Sequence, residues 1–373
     1  MIKILFLTRS LNRGGSERQL IELVKGMDKS LFSISVVTLY DGGALRPEME
    51  AVEEVRTLSA GKKGRWDIGY FRRLLRIVKS IRPAIVHGYR GVANESALIA
   101  GKRCGAKVVW GLRGSDKNFA LYNWLTGLSF RTGAWLSRFA DLVIVNSENG
   151  KNQYIARGYC PTRMMVIPNG IDVIRFRPDS QAAQKLRDQW GIAQGERLIG
   201  LVGRLDPVKD HSTFLKAAAL LCKEREDVRF ICVGDGPADL TRQLREQATA
   251  LGLDSRLIWA GASTEMPAVY SALDIATSTS TSEGFPNVIG EAMACETPCV
   301  VTDAGDSAAI VGQSEQIVVA GDASSVVAGW NYLLNMTDEE RQQVGRAARQ
   351  RIVEDYSTEQ LIKTTQAALS NLV

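Results

Sequence analysis

Short apolar, β-branched runs alternate with helix-length amphipathic segments from one end of the chain to the other. Apolar runs of strand length between helical patterns are what a parallel sheet produces when helices cover both of its faces. The pattern predicts strands at 2–8, 33–39, 84–87, 107–111 and 141–145, then at 197–202, 228–233, 256–260, 274–277 and 298–302. Two successive sets of this kind predict an α/β protein with two Rossmann-like domains in tandem. The turn signature Pro168-Asn169-Gly170 separates them and leads into Arg175-Phe176-Arg177-Pro178-Asp179-Ser180 before a new helix. We expect domains at 1–172 and 173–356, with a terminal helix at about 357–373. Ligands of open α/β sheets bind beyond the carboxyl ends of the strands, so two such domains are expected to face each other across a cleft.

Composition narrows the class without changing that picture. A chain of 373 residues with 45% hydrophobic content can build two full cores. No apolar run reaches the ~20 residues of a membrane span. The start, Met1-Ile2-Lys3-Ile4-Leu5-Phe6-Leu7, reads as a first strand and not as a signal peptide, which points to the cytoplasm. The six cysteines form no C-x-x-C pair and the two histidines, His87 and His211, are far apart, so neither a metal site nor a disulfide framework is expected. The net charge of +5 conceals an asymmetry: residues 1–172 carry 27 Lys+Arg against 14 Asp+Glu, whereas the remainder carries 19 against 27. The first half is thus built to meet something anionic, a membrane surface or a lipid pyrophosphate; no nucleic-acid motif accompanies the charge.

Three constellations carry candidate chemistry. Glu283-Gly284-Phe285-Pro286-Asn287-Val288-Ile289-Gly290-Glu291 sets two carboxylates eight positions apart across a turn that opens a helix. The turn offers unpaired N–H groups and the positive end of the helix dipole, a seat for phosphate or polarised hydroxyls, although an acid near a helix start is also a common structural feature. Arg204 and Lys209 bracket Leu205-Asp206-Pro207-Val208 just after a strand. Such cations can neutralise a pyrophosphate, and equally they can be solvated surface charges. Gly14-Gly15 lies between the first strand and a helix, where missing side chains let backbone amides approach a ligand and permit unusual dihedrals; it is not a G-x-G-x-x-G fingerprint.

These strings, with Gly14-Gly15-Ser16-Glu17-Arg18, Pro168-Asn169-Gly170-Ile171-Asp172 and Val202-Gly203-Arg204-Leu205 in order along nearly the whole chain, resemble the motifs of family-4 retaining glycosyltransferases, whose fold is GT-B. The resemblance implies a nucleotide diphosphate sugar as donor substrate, no metal requirement and no bound cofactor. It implies that Glu283 contacts the donor sugar, that Arg204 and Lys209 hold the departing diphosphate, and that Glu291 binds the ribose. Gly14, Gly15, Gly203 and the stretch Gly284, Phe285, Pro286, Asn287 and Val288 would complete the donor site. It also implies that the terminal helix crosses back onto the first domain. On the acceptor side it points to Arg18, His87 and Arg113, the last standing where many relatives carry histidine. Arg113 would favour an acidic sugar or lipid pyrophosphate, or else sit in a structural ion pair. His87 closes a predicted strand and is either a polar contact or a satisfied core histidine. Glu296 stands where many relatives carry glycine, and Ala309 near where they carry an acid.

The segment Trp66–Arg82 places Tyr70, Phe71, Leu74, Leu75, Val78 and Ile81 at helical spacing among Arg72, Arg73, Arg76, Lys79 and Arg82. This is the pattern of a helix lying on anionic lipid and also of one packed on a sheet with its basic side in solvent. The aromatic stretch Phe119–Phe139, with Tyr122, Trp124, Phe130 and Trp135, reads as an acceptor-lipid groove or as core. The function expected is transfer of a hexosyl or N-acetylhexosaminyl unit to a glycan or polyprenyl-linked acceptor in surface polysaccharide assembly (O-antigen, capsule or exopolysaccharide), at the inner face of the membrane. The alternatives are a nucleotide-sugar epimerase or phosphorylase on the same architecture, and a catalytically silent sugar-nucleotide-binding scaffold.

Overall fold

The computed structural model describes residues 1–64, 66–113 and 124–373, with the helix backbone alone for 124–129. The chain forms two compact units, Met1–Gly170 with Thr358–Val373, and Ile171–Ser357. Gly114, Ser115 and Asp116 beside Arg113, and Phe119 and Tyr122 of the aromatic stretch, lie outside the described residues, as does the side chain of Trp124.

The first unit is built on seven parallel strands: β1 (Ile2–Thr8), β2 (Phe32–Thr38), β3 (Val55–Ser59), β4 (Ile85–Tyr89), β5 (Lys107–Leu112), β6 (Leu142–Val145) and β7 (Met164–Val166). They run side by side as β3-β2-β1-β4-β5-β6-β7. Successive residues of β1 serve opposite faces. Ile4 and Phe6 join the core under the helix Gly15–Gly26 and the terminal helix Thr358–Ser370, whereas Leu5 and Leu7 join the core under the helices Gly69–Ile81 and Val92–Arg103. Burial on both faces is why the strand reads as an unbroken apolar run. The terminal helix contributes Leu361 and Leu369 to the first of these cores.

The second unit holds six parallel strands: β8 (Arg197–Val202), β9 (Val228–Val233), β10 (Leu257–Gly261), β11 (Ile275–Ser278), β12 (Cys299–Thr302) and β13 (Ile317–Val318), in the order β10-β9-β8-β11-β12-β13. Ile199 and Leu201 pack on one side with Phe214 and Trp330, and Leu198 and Val301 on the other with Ile289 and Met293. Strand order reverses at β1/β4 in the first sheet and at β8/β11 in the second. At such switch points the loops beyond the carboxyl ends diverge to opposite faces and leave a crevice.

Every strand expected from the pattern is present within one or two residues of its bounds, and three more exist. All three, β3, β7 and β13, lie at sheet edges. Edge strands are covered less completely and need no continuous apolar run, so Val-Arg-Thr-Leu-Ser and Met-Met-Val leave no strong signal.

Glu296 closes the helix Asn287–Ala294 with φ 62°, a left-handed conformation that favours glycine. The position where relatives carry glycine therefore has a conformational explanation in this chain. Ala309 is an exposed residue of the short helix Ser307–Val311, its carbonyl accepting a hydrogen bond from Arg351 at 2.8 Å. We expect Glu296→Gly to stabilise the protein by about 0.5–1 kcal/mol through relief of the left-handed strain. Urea unfolding of the two proteins checks this, and an unchanged or lower midpoint in the glycine variant would refute it.

Candidate functional site

The β8/β11 switch point collects the residues singled out in the second half of the chain. Beyond β8, Gly203 and Arg204 lead to Asp206, whose side chain accepts the Val208 N–H and caps the turn Pro207–Lys209. Asp210 follows at φ 48° and caps the helix His211–Leu221. Beyond β11, Thr279 places its hydroxyl 2.9 Å from the carbonyls of both Lys209 and Asp210, and the Thr281 N–H donates to Val208 at 2.8 Å. The two loops are thereby stitched together by side-chain and backbone hydrogen bonds. Across that seam Lys209 Nζ pairs with Glu283 Oε1, and Ser280 Oγ donates to the same carboxylate oxygen at 2.7 Å.

Close packing holds the turn that carries Glu283. A Cβ on Gly305 would lie 2.4 Å from the Glu283 carbonyl, and the residue sits at φ +65°, so glycine is required there twice over. Gly234, at φ +144°, approaches the Gly203 carbonyl just as closely. Gly284, Phe285 and Pro286 are buried, Phe285 with its ring 5.6 Å from that of Tyr356. They lead into the helix Asn287–Ala294, which has no side-chain cap at its N-terminus. The positive end of the dipole is open to a ligand or solvent there, while the Ile289 N–H turns back to the Pro286 carbonyl at 3.1 Å. Asn287 and Val288 are half-buried at this end. One turn on, Glu291 accepts a 2.9 Å hydrogen bond from the Tyr270 hydroxyl, and burial raises its carboxyl pKa although Tyr270 and Arg175 oppose the shift. Arg204 is the exposed member, 74% accessible and paired with Asp206 at 2.8 Å.

Sequence reasoning missed Ser280, Thr279, Tyr270 and Gly305. Thr279, Tyr270 and Gly305 act on residues distant in the chain and Ser280 on Glu283 three positions away, and none has a local pattern that would reveal it.

The first unit gathers a second set. Arg113 follows β5 and is buried; its Nη1 donates to Asn169 Oδ1 at 2.6 Å, its Nη2 to the Tyr89 hydroxyl at 2.9 Å, and it lies 4.7 Å from the Tyr89 ring centroid. No carboxylate pairs with it among the described residues, so the structural ion pair is not found there. Its Nε, both nitrogens of His87 and Oδ1 of Asn94 are buried without hydrogen-bond partners among those residues. Two expectations need correction. His87 does not close its strand, because β4 continues to Tyr89, and among the described residues it is not a satisfied histidine. Its imidazole packs at a tilt against Phe6 and Tyr89, and burial, with the Arg113 charge adding, pushes its pKa down to about 3. Gly14 has φ −168°, an extended backbone open to any residue, so no unusual dihedral explains it; Gly15 begins the helix. Arg18 is engaged with Glu48 through contacts of 2.7 and 2.6 Å.

Residues 182–351 match the family model described as glycosyl transferases group 1, and residues 13–175 match glycosyltransferase family 4. With two Rossmann-like units and these motifs, the chain belongs to the family-4 glycosyltransferases of GT-B fold. Over 319 residues it is 28% identical to EpsF of Bacillus subtilis (strain 168), named as a glycosyltransferase, covering 81% of this chain and 79% of that protein. Over 327 residues it is 26% identical to the UDP-Gal:alpha-D-GlcNAc-diphosphoundecaprenol alpha-1,3-galactosyltransferase of Escherichia coli, covering 84% and 76%. The crystal structure of Anabaena HepE in complex with UDP shares the fold with a TM-score of 0.86 at 24% identity, over 99% of this chain and 100% of that one.

The two buried histidines set an acid dependence. His211, like His87, lacks partners for its ring nitrogens among the described residues; burial, helped by the Lys209 charge, lowers its pKa to about 4. Unfolded histidine titrates near ~6.5, so the unfolded chain takes up protons below that pH while the folded chain does not. Stability present above about pH 6.5 should be lost on acidification, by up to about 1.4 kcal/mol per pH unit for each imidazole. Urea titrations at pH 7.5 and 5.5 measure it, with His87→Phe showing a smaller loss than the parent; equal stability at both pH values would contradict the assignment.

Proposed function

We propose that this glycosyltransferase takes a hexosyl or N-acetylhexosaminyl unit from a UDP-sugar and passes it, with retention of anomeric configuration and without a metal, to a lipid-linked glycan in surface polysaccharide assembly. The observation that carries the reading is the Lys209–Glu283 pair at the β8/β11 switch point, beside the uncapped start of the helix bearing Glu291. The choice of UDP and of a lipid diphosphate rests on the HepE complex and on the name of the Escherichia coli relative.

The chemistry follows from where charge develops. As the anomeric C–O bond breaks, the sugar becomes oxocarbenium-like and the leaving diphosphate gains negative charge. Lys209, Arg204 and the amides that open the helix Asn287–Ala294 meet that charge, while Glu283 receives hydrogen bonds from the donor sugar and Glu291 from the ribose. Pre-placed groups of this kind need no strong general base. On the acceptor side, the buried Arg113 guanidinium has only neutral partners among the described residues, which suits a phosphate-bearing acceptor.

Removing a preorganised charge of this kind typically costs ~10²–10³ in kcat. Glu283→Ala and Lys209→Ala should each lose turnover on that scale while keeping the parental circular dichroism and thermal midpoint to within a few degrees. Near-parental rates in both would remove the assignment. A thermal-shift screen of UDP, GDP, ADP and dTDP sugars, with magnesium and with EDTA, identifies the donor: a shift selective for UDP that persists in EDTA is expected. For Arg113→Met we expect the acceptor KM to rise about tenfold or more with donor KM unchanged, a loss of about one charge-assisted contact. A changed donor KM with an unchanged acceptor KM would place Arg113 elsewhere in the reaction.

A further inference from the structure

The first unit carries a surface that nothing in the transfer chemistry uses. Between Ala60 and Arg82 the chain holds eight Lys and Arg against a single acid, Asp67. That acid is already neutralised: its carboxylate lies 2.7 Å from Arg73 Nη2 and accepts the N–H groups of Lys63 and Tyr70. Arg73 also donates to the carbonyls of Ala60 and Gly61 at 2.7 and 2.9 Å, and Lys62 lies 4.0 Å from the Tyr70 ring centroid. The loop is therefore braced. What it holds out is apolar: Trp66 and Ile68, on either side of Asp67, are each 84% accessible.

The helix Gly69–Ile81 follows directly on this tip. Leu74, Val78 and Ile81 face the core, and Arg72, Arg76 and Lys79 recur at the spacing of one helical stripe, all exposed. Among the described residues none of these three makes an ion pair or hydrogen bond through its side chain. An ordinary solvated helix face mixes signs and does not begin at an exposed Trp-x-Ile tip. Indole rings favour the headgroup level of a bilayer, and uncompensated Lys and Arg add attraction to anionic lipid.

We propose that Trp66 and Ile68 insert into the headgroup region of an anionic bilayer while Arg72, Arg76 and Lys79 lie along its surface, docking the first unit on the membrane. The proposal deepens the reading of a lipid-linked acceptor by naming the docking segment, but its test uses no turnover and stands apart from donor specificity. Charge complementarity selects anionic lipid over neutral lipid. The exposed apolar pair selects a bilayer over a nucleic acid or an acidic protein, which would be met by charge alone.

Co-sedimentation of the full chain with vesicles of phosphatidylglycerol and phosphatidylcholine, against phosphatidylcholine alone, tests it. Binding is expected only with the anionic vesicles. Arg72→Glu/Arg76→Glu/Lys79→Glu should abolish it, and Trp66→Ser/Ile68→Ser should weaken it about tenfold and make the remainder disappear at ~0.3 M salt. All five positions are exposed, and UDP-sugar thermal shifts on the same variants should match the parent, which separates failure of docking from failure of the donor reading. Absence of parental binding, binding unchanged by either variant, or equal competition by single-stranded DNA would each overturn the proposal.

Discussion

The loops beyond β8 and β11 are held against each other by one partly buried ion pair. Lys209 and Glu283 have side chains only 22% and 14% accessible, and they come from loops beyond different strands. Taking two charges this far from water is expensive, and such pairs are rarely kept for stability alone. What the pair secures is position. Thr279 ties the Lys209 loop from below, Ser280 holds the Glu283 carboxylate from the side, and Gly305 lets the turn behind it close up. If any of these contacts were lost, one charge would be left poorly solvated with its partner displaced.

The switch point explains why those loops meet at all. Neighbouring strands in a parallel sheet usually send their following loops to the same side in sequence order, so adjacent strand ends are crowded. At β8/β11 the order reverses, the connections leave to opposite faces, and the strand ends remain open. The β1/β4 position of the first sheet is equivalent, and beside it lies the cluster of Tyr89, Arg113 and Asn169. The two clusters differ in charge balance. Lys209 and Arg204 each have a carboxylate at hand, whereas the Arg113 guanidinium is held by an amide and a phenol.

Much of this was legible because it is local. The apolar runs of the interior strands state their own burial, and the string from Glu283 to Glu291 carries a turn, a helix start and two acids within nine residues. Three of the four edge strands, β3, β7 and β13, were not legible, since one uncovered side weakens the pattern; only β10 kept enough of an apolar run. Nor were Thr279 and Tyr270, common residue types whose roles arise only when residues 70 or 21 positions away fold against them, nor Ser280, whose hydroxyl meets the Glu283 carboxylate only once the turn between them has formed. His87 shows the same limit from the other direction: a short strand estimate ended on it, while the actual strand runs two residues further and buries it between Phe6 and Tyr89. For Glu296 the position mattered more than the side chain, because the helix ends there in a left-handed turn.

On the proposed reading, the ion pair also shapes how binding energy is used. A diphosphate that enters the site must share Lys209 with Glu283 and Arg204 with Asp206, so each cation is only partly available to the ground-state ligand. As the glycosidic bond breaks, the leaving group's charge rises and its competition with the carboxylates improves. The same two cations then contribute more to the transition state than to the bound donor, which is the condition for raising kcat and not merely lowering KM. Glu283 gains in the same step, because the sugar beside it becomes more positive as Lys209 turns toward the phosphate. A site with unpaired cations would grip the intact donor more tightly; the carboxylate partners weaken that ground-state contact and leave the cations to act as the leaving group's charge develops.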